Sequence, residues 1–182
     1  MYFNNPGKSN TTETLTLAFE RAKRFGIEEI VVASSRGQTA LKALEIFQGY
    51  KIIVVSLQSG FEEPFQLPMD PRTRLELEAK GLRVLSSTHA LSGVERAVAK
   101  KHGGVYPALL IADTLRLFGQ GTKVAVEVSI MAADAGLLSG GDIIAIGGTS
   151  QGADTALVLR PAGNAALFDI RIREIICKPS KF

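Results

Sequence analysis

Apolar positions recur at helical spacing near the start of the chain, where Leu15, Ala18, Ala22 and Phe25 share one face of a helix over Asn10 to Phe25. Asn10 and Glu13 have the spacing of a capping box, and Gly26 stops the helix after Lys23 and Arg24. Glu28 to Ala33 then carries the unbroken run Ile30-Val31-Val32-Ala33, as in a strand buried on both faces of a parallel sheet. A polar turn, Ser34 to Gln38, leads to a second helix over Thr39 to Gln48 and a second apolar strand over Lys51 to Leu57, completing a βαβ unit. Asp70-Pro71 reads as a cap and first-turn proline opening a helix to about Lys80, after a long loop from Gln58. Leu82 to Ser86 is the third strand, and Ser92 with Glu95 forms a capping box for a helix ending near His102. Pro107 opens the next helix, which Gly119 ends. Lys123 to Met131 reads as strand four and Ile143 to Ile146 as strand five.

The C-terminal third looks extended over Thr155 to Arg160 and Leu167 to Ile176, joined by the turn Pro161 to Asn164. Phe168, Ile170 and Ile172 alternate with Asp169, Arg171 and Arg173, the period of a strand with one wet face. The expected fold is a single α/β domain over residues 1–182, three-layered, with a mainly parallel sheet, helices on both faces and antiparallel strands at its C-terminal end.

Composition narrows the partners. Apolar residues make up 46% and charged residues 21%, with 21 Lys and Arg against 18 Asp and Glu in interleaved order, so no basic face for nucleic acid stands out. There is no run of about 18 apolar residues for a membrane span. Cys177 is the single cysteine, which rules out an intrachain disulfide and, with only two histidines, speaks against a metal site; a cytoplasmic setting is expected.

The candidate chemistry lies in two loops. Ser34, Ser35, Arg36, Gly37, Gln38 and Thr39 join the C-terminal end of a strand to a helix start, where ligands bind in open α/β sheets. Unpaired N–H groups, hydroxyls and a guanidinium there suit a phosphate, although a capped helix start with a solvated arginine uses the same residues. The segment Gly147 to Thr155, with Gly148, Thr149, Ser150, Gln151, Gly152 and Asp154, forms the opposite wall if strand five runs parallel to the first strand, and is otherwise a flexible turn leading into an antiparallel strand. Thr88 and His89 end strand three at the same edge, so His89 is either a ligand contact or a loop histidine capping backbone. Phe61, in the long loop, either plugs the core, the commoner use of a phenylalanine, or stacks on an aromatic ring; Cys177 reads as inert; and Glu127, taken to lie within a buried strand, needs a partner and is either functional or salt-bridged.

The stretch Glu28 to Ala40, followed by Lys51 to Ser56, resembles the C-terminal α/β domain of pyruvate kinase. In that family the corresponding loop is rich in Ser/Thr, Gly and Arg, and in some members such a loop grips a phosphate of a sugar-bisphosphate regulator. Here Arg36 precedes Gly37, whereas the family loop commonly reads Ser-Gly-Arg-Ser. With Thr88 to Glu95 and Gly147 to Thr155 as further signatures, the chain resembles a stand-alone archaeal and bacterial group that keeps only this domain. For that group the resemblance implies a bound flavin mononucleotide and no established reaction. It also implies no pyruvate kinase activity, since the family's phosphoryl-transfer residues lie on a barrel of about 200 residues or more. Three competing functions follow: a binding protein for a phosphorylated small molecule, an enzyme acting on one or through the flavin, and a regulatory or oligomerising domain without catalysis, the last allowing a homo-oligomer.

Overall fold

The computed structural model describes all 182 residues. Seven strands form one mixed sheet: β1 (Tyr2–Phe3), β2 (Glu29–Ala33), β3 (Lys51–Ser56), β4 (Arg83–Ser86), β5 (Ile143–Gly147), β6 (Thr155–Arg160) and β7 (Arg171–Pro179), in the spatial order β1-β7-β6-β5-β2-β3-β4. Six helices connect them: α1 (Thr11–Phe25), α2 (Gln38–Ile46), α3 (Pro71–Ala79), α4 (Gly93–His102), α5 (Pro107–Arg116) and α6 (Gln120–Asp134). β5, β2, β3 and β4 run parallel, and β6 alone is reversed, pairing antiparallel with both β5 and β7. This is the α/β fold that the strand pattern predicts, with the reversal where the chain's character changes.

Strand periodicity divides the core between two faces. Ile30, Val32, Ile52, Val54, Ile144 and Ile146 pack under α1, α2 and Leu77 of α3. Their neighbours Val31, Ile53, Val55, Ile143 and Ala145 pack under α6 and Ala112 of α5. Alternate residues thus face opposite layers, which is why these strands read as continuous apolar runs.

Lys123 to Met131 is helical, not a strand. It forms most of α6, which is buried from Gly121 to Ala132 except for half-buried Val124. A helix covered on all sides carries apolar residues all round, so the run Val124-Ala125-Val126 lacks the amphipathic period that would mark it. The Lys123/Glu127 spacing of four is its remaining helical signature.

Smaller differences concern ends and caps. Residues 164–169 make a 3-10 turn, so the last strand begins at Arg171 and Phe168 is exposed. The Asp134 carboxylate accepts from the Asn164 backbone N–H and Nδ2, tying this connection to the end of α6. Asn10 does not cap α1 with its side chain; its Nδ2 donates to the Asn5 carbonyl, and a 3-10 turn at Lys8–Asn10 leads into the helix. Ser92 likewise makes no side-chain cap, and Glu95 accepts from the N–H groups of Ala108 and Leu109 at the start of α5. β1, a two-residue strand, pairs in parallel with Lys178 and Pro179 of β7.

α6 lies close against β5. A Cβ on Gly147 would collide with the Gly121 carbonyl and the Ala125 N–H, and one on Gly121 would collide with Thr155 Oγ1. The first contact is with backbone, and the second is with the short, branched side chain of Thr155 at the start of β6, which is itself hydrogen-bonded to buried Asp154. Gly147→Ala or Gly121→Ala should therefore destabilise the protein by about 1–3 kcal/mol through overpacking. Gly141→Ala, where an added Cβ meets nothing, should stay within about 0.5 kcal/mol. Denaturant unfolding of the three variants checks the contrast.

Candidate functional site

Four parallel strands deliver their C-terminal ends to one sheet edge, and a cavity of about 810 Å³ opens there. The β2–α2 turn forms one wall. Gly37 holds the left-handed conformation (φ 93°), and a Cβ at this position would meet the Thr73 side chain. Ser34 Oγ accepts from the Ala40 N–H, and Ser56 Oγ donates to the Ser35 carbonyl, so the turn is pinned from within and from β3. The N–H groups of Gln38 and Thr39 find no acceptor in the protein and lie beside the cavity. Such a helix start favours an anion.

β5 runs parallel to β2, so the loop that follows it returns to the same edge. Gly148, Ser150, Gln151 and Gly152 line the cavity. The loop is locked to the start of α1, where Thr11 Oγ1 accepts from the Ala153 N–H and donates to the Lys8 carbonyl. Gly152, at φ 75°, leaves no room for a Cβ against Lys8 and Thr11. Ser150 also has a positive φ, 64°, uncommon for a residue with a side chain.

Of the residues singled out from sequence, Ser34, Ser35, Arg36, Gln38, Thr39, His89, Gly148, Ser150, Gln151 and Gly152 all line this one cavity. Gly37, Thr88, Thr149 and Asp154 do not. Gly37 acts through backbone conformation, and Thr88 is exposed. Asp154 is fully buried, its carboxylate accepting from the N–H groups of Gly7 and Thr149 and from Thr155 Oγ1, so it holds the loop's shape. Arg36 is not a free guanidinium, because its Nη2 donates to both oxygens of Glu62, at 2.8 and 2.7 Å.

Phe61 is not core. It is 44% exposed and its ring lies 5.1 Å from that of His89 across the cavity's rim. Burial pulls the His89 pKa below its usual value, opposed by Glu127 and reinforced by Lys123 and Arg96, so the imidazole is neutral at pH 7.

Lys8, Lys42, Arg96, Arg116, Lys123 and Glu62, which the sequence does not single out, also line the cavity, as does Glu127. With Arg36 they make six basic groups against two carboxylates. Those on α6 were hidden by reading its residues as a strand; the four-residue spacings Arg116/Gln120 and Lys123/Glu127 were the available signal. Lys123 and Glu127 are 3% and 4% exposed and form a direct ion pair at the cavity floor. Glu127 Oε1 also accepts from the Leu91 N–H, which ties α6 to the loop carrying His89. Burial lowers the Lys123 pKa, while Glu127 holds its charge in place.

Glu127→Gln keeps an acceptor for Leu91 but strands a buried ammonium, so a loss of about 3–5 kcal/mol is expected. Adding Lys123→Met should restore most of it. Urea unfolding of the single and double variants tests this, and an unchanged midpoint for the single variant would contradict the pairing.

A family model described as pyruvate kinase, alpha/beta domain, matches residues 12–159. A solved structure of a pyruvate kinase from Cryptosporidium parvum is similar at 16% sequence identity and a TM-score of 0.44, over 84% of this chain. The chain covers 23% of that protein's length. No helix of this chain is long and apolar enough to cross a membrane. The family match runs from the first turn of α1 to the end of β6 and takes in both loops of the cavity, and on it the chain belongs to the pyruvate kinase alpha/beta domain family.

Proposed function

We propose that the cavity binds a phosphorylated small molecule, with flavin mononucleotide the favoured ligand. The observation that carries this reading is the α2 start, where two N–H groups without protein acceptors adjoin Arg36, Lys42 and the Thr39 hydroxyl at the cavity wall. A phosphate supplies acceptors for those donors and negative charge for the helix end. The Arg36–Glu62 pair is half exposed on both sides, with side chains 48% and 42% accessible. An exposed pair of this kind contributes only about 0–1 kcal/mol, so a phosphate can take the place of Glu62.

The rest of the cavity fits a flat ring system. Val124, Val128 and Met131 give α6 an apolar stripe facing the cavity, and the Phe61–His89 pair offers aromatic faces at the rim. A volume of about 810 Å³ is ample for a mononucleotide. When bound, a flavin would supply hydride or electron transfer; the residues named here would bind and orient it.

Titration with flavin mononucleotide and with riboflavin, followed by quenching of flavin fluorescence, tests the reading. The phosphorylated flavin should bind tighter. Arg36→Gln should weaken it about tenfold or more, as loss of a charged hydrogen bond entails, with a smaller loss for Thr39→Val and none for riboflavin. Equal affinity for the two flavins, or equal losses in the variants, overturns the proposal.

A further inference from the structure

Between β3 and α3 the chain runs through residues 59–67 without burying one of them, yet it is anchored at both ends. At one end the Gln58 side chain accepts from the His89 N–H; at the other, Met69 is buried in the core and Asp70 caps α3. The segment also closes on itself, the Gly60 N–H donating to the Gln66 carbonyl and the Gln66 N–H to the Glu63 carbonyl. It is therefore a compact flap with no core of its own. Glu62 ties it to Arg36 and Phe61 lays it against His89, both at the cavity.

The tie to Arg36 is incomplete. Both oxygens of Glu62 take their hydrogen bonds from a single nitrogen, Nη2, while Nε and Nη1 have no acceptor in the protein. The parallel fork of two nitrogens, which gives arginine its strong pairs with carboxylate and phosphate, is not formed. Glu62 thus places an anion beside the α2 start and leaves unused the donors that a phosphate needs. A phosphomonoester brings about −1.5 to −2 charge and three acceptor oxygens, against one charge and two oxygens on Glu62. It can engage the free edge of Arg36 and the N–H groups of Gln38 and Thr39 together.

We infer that Glu62 is a built-in competitor for the phosphate seat and that residues 59–67 are a gate which it latches and a bound phosphate releases. This rests on the reading above in placing a phosphate at the α2 start, and it adds the moving part. Binding exchanges Glu62 for phosphate on Arg36, so the flap keeps only its aromatic contact and swings about its anchored ends. Occupancy of the cavity is thereby displayed at the surface, as a freed loop carrying Phe61, Glu62 and the almost fully exposed Phe65. Linkage works in both directions: whatever unlatches the flap must also tighten phosphate binding.

Inorganic phosphate is the probe, because it has no ring for Phe61 to hold. Its affinity is measured calorimetrically at low ionic strength, and chymotryptic cleavage after Phe61 and Phe65 is followed with and without it. In the wild-type protein phosphate should speed cleavage severalfold. Glu62→Gln should be cleaved at the faster rate without phosphate, and should bind phosphate about two- to fivefold tighter, the factor that an exposed competing pair represents. Glu63→Gln removes the same charge from the same flap and should do neither. Arg36→Gln should match Glu62→Gln in cleavage but lose phosphate binding, which separates latch from cradle. If phosphate binds but leaves wild-type cleavage unchanged or slows it, or if Glu63→Gln tightens binding as much as Glu62→Gln, the gate is overturned and the cradle stands. Phosphate bound by neither the wild type nor Glu62→Gln, or bound equally after Arg36→Gln, overturns cradle and gate together.

Discussion

The close approach of α6 to β5 is the constraint on which the rest depends. Gly121 and Gly147 meet without side chains between them, so the helix lies directly against the strand. A side chain at either position would lift α6 away from the sheet. That contact buries the helix almost completely and carries Lys123 and Glu127 to the floor of the cavity. It also brings the α6 stripe of Val124, Val128 and Met131 to the cavity.

Placing an ion pair on that floor has an energetic consequence. Charges removed from water cost several kcal/mol each, and direct pairing with further hydrogen bonds offsets this. Glu127 meets the condition by accepting from both the Lys123 ammonium and the Leu91 N–H. The same carboxylate therefore neutralises the floor and fixes the loop that presents His89. Around it the cavity remains rich in basic groups, an electrostatic setting that suits anions.

The cavity's walls are rigid for separate local reasons. On one side, Ser34 and Ser56 hold the β2–α2 turn. On the other, buried Asp154 gathers three donors and Thr11 bridges two backbone groups, so the glycine-rich loop has a defined shape. The segment between β3 and α3 is fastened differently. It reaches the site through the exposed Glu62–Arg36 pair and the Phe61–His89 contact. Such contacts are weaker than buried ones, which makes this segment the wall most readily moved by a ligand.

Much of this was legible along the chain. Unbroken apolar runs marked β2, β3 and β5 because both faces of a parallel strand are covered, and the Ser34 to Thr39 turn was recognisable because a strand end followed by a helix start has its own residue chemistry. α6 was not, since complete burial erases the polar face by which a helix is distinguished from a strand. The sequence by itself thus determined the parallel α/β order, the strand ends and the anion-suited turn, all of which follow from local periodicity and backbone chemistry. Only the tertiary structure decided that β5 lies beside β2, that Asp154 faces inward, that Glu62 takes Arg36, and that basic residues from α4, α5 and α6 share one cavity. Those outcomes depend on which distant segments pack together, and neither the spacing nor the type of neighbouring residues encodes that.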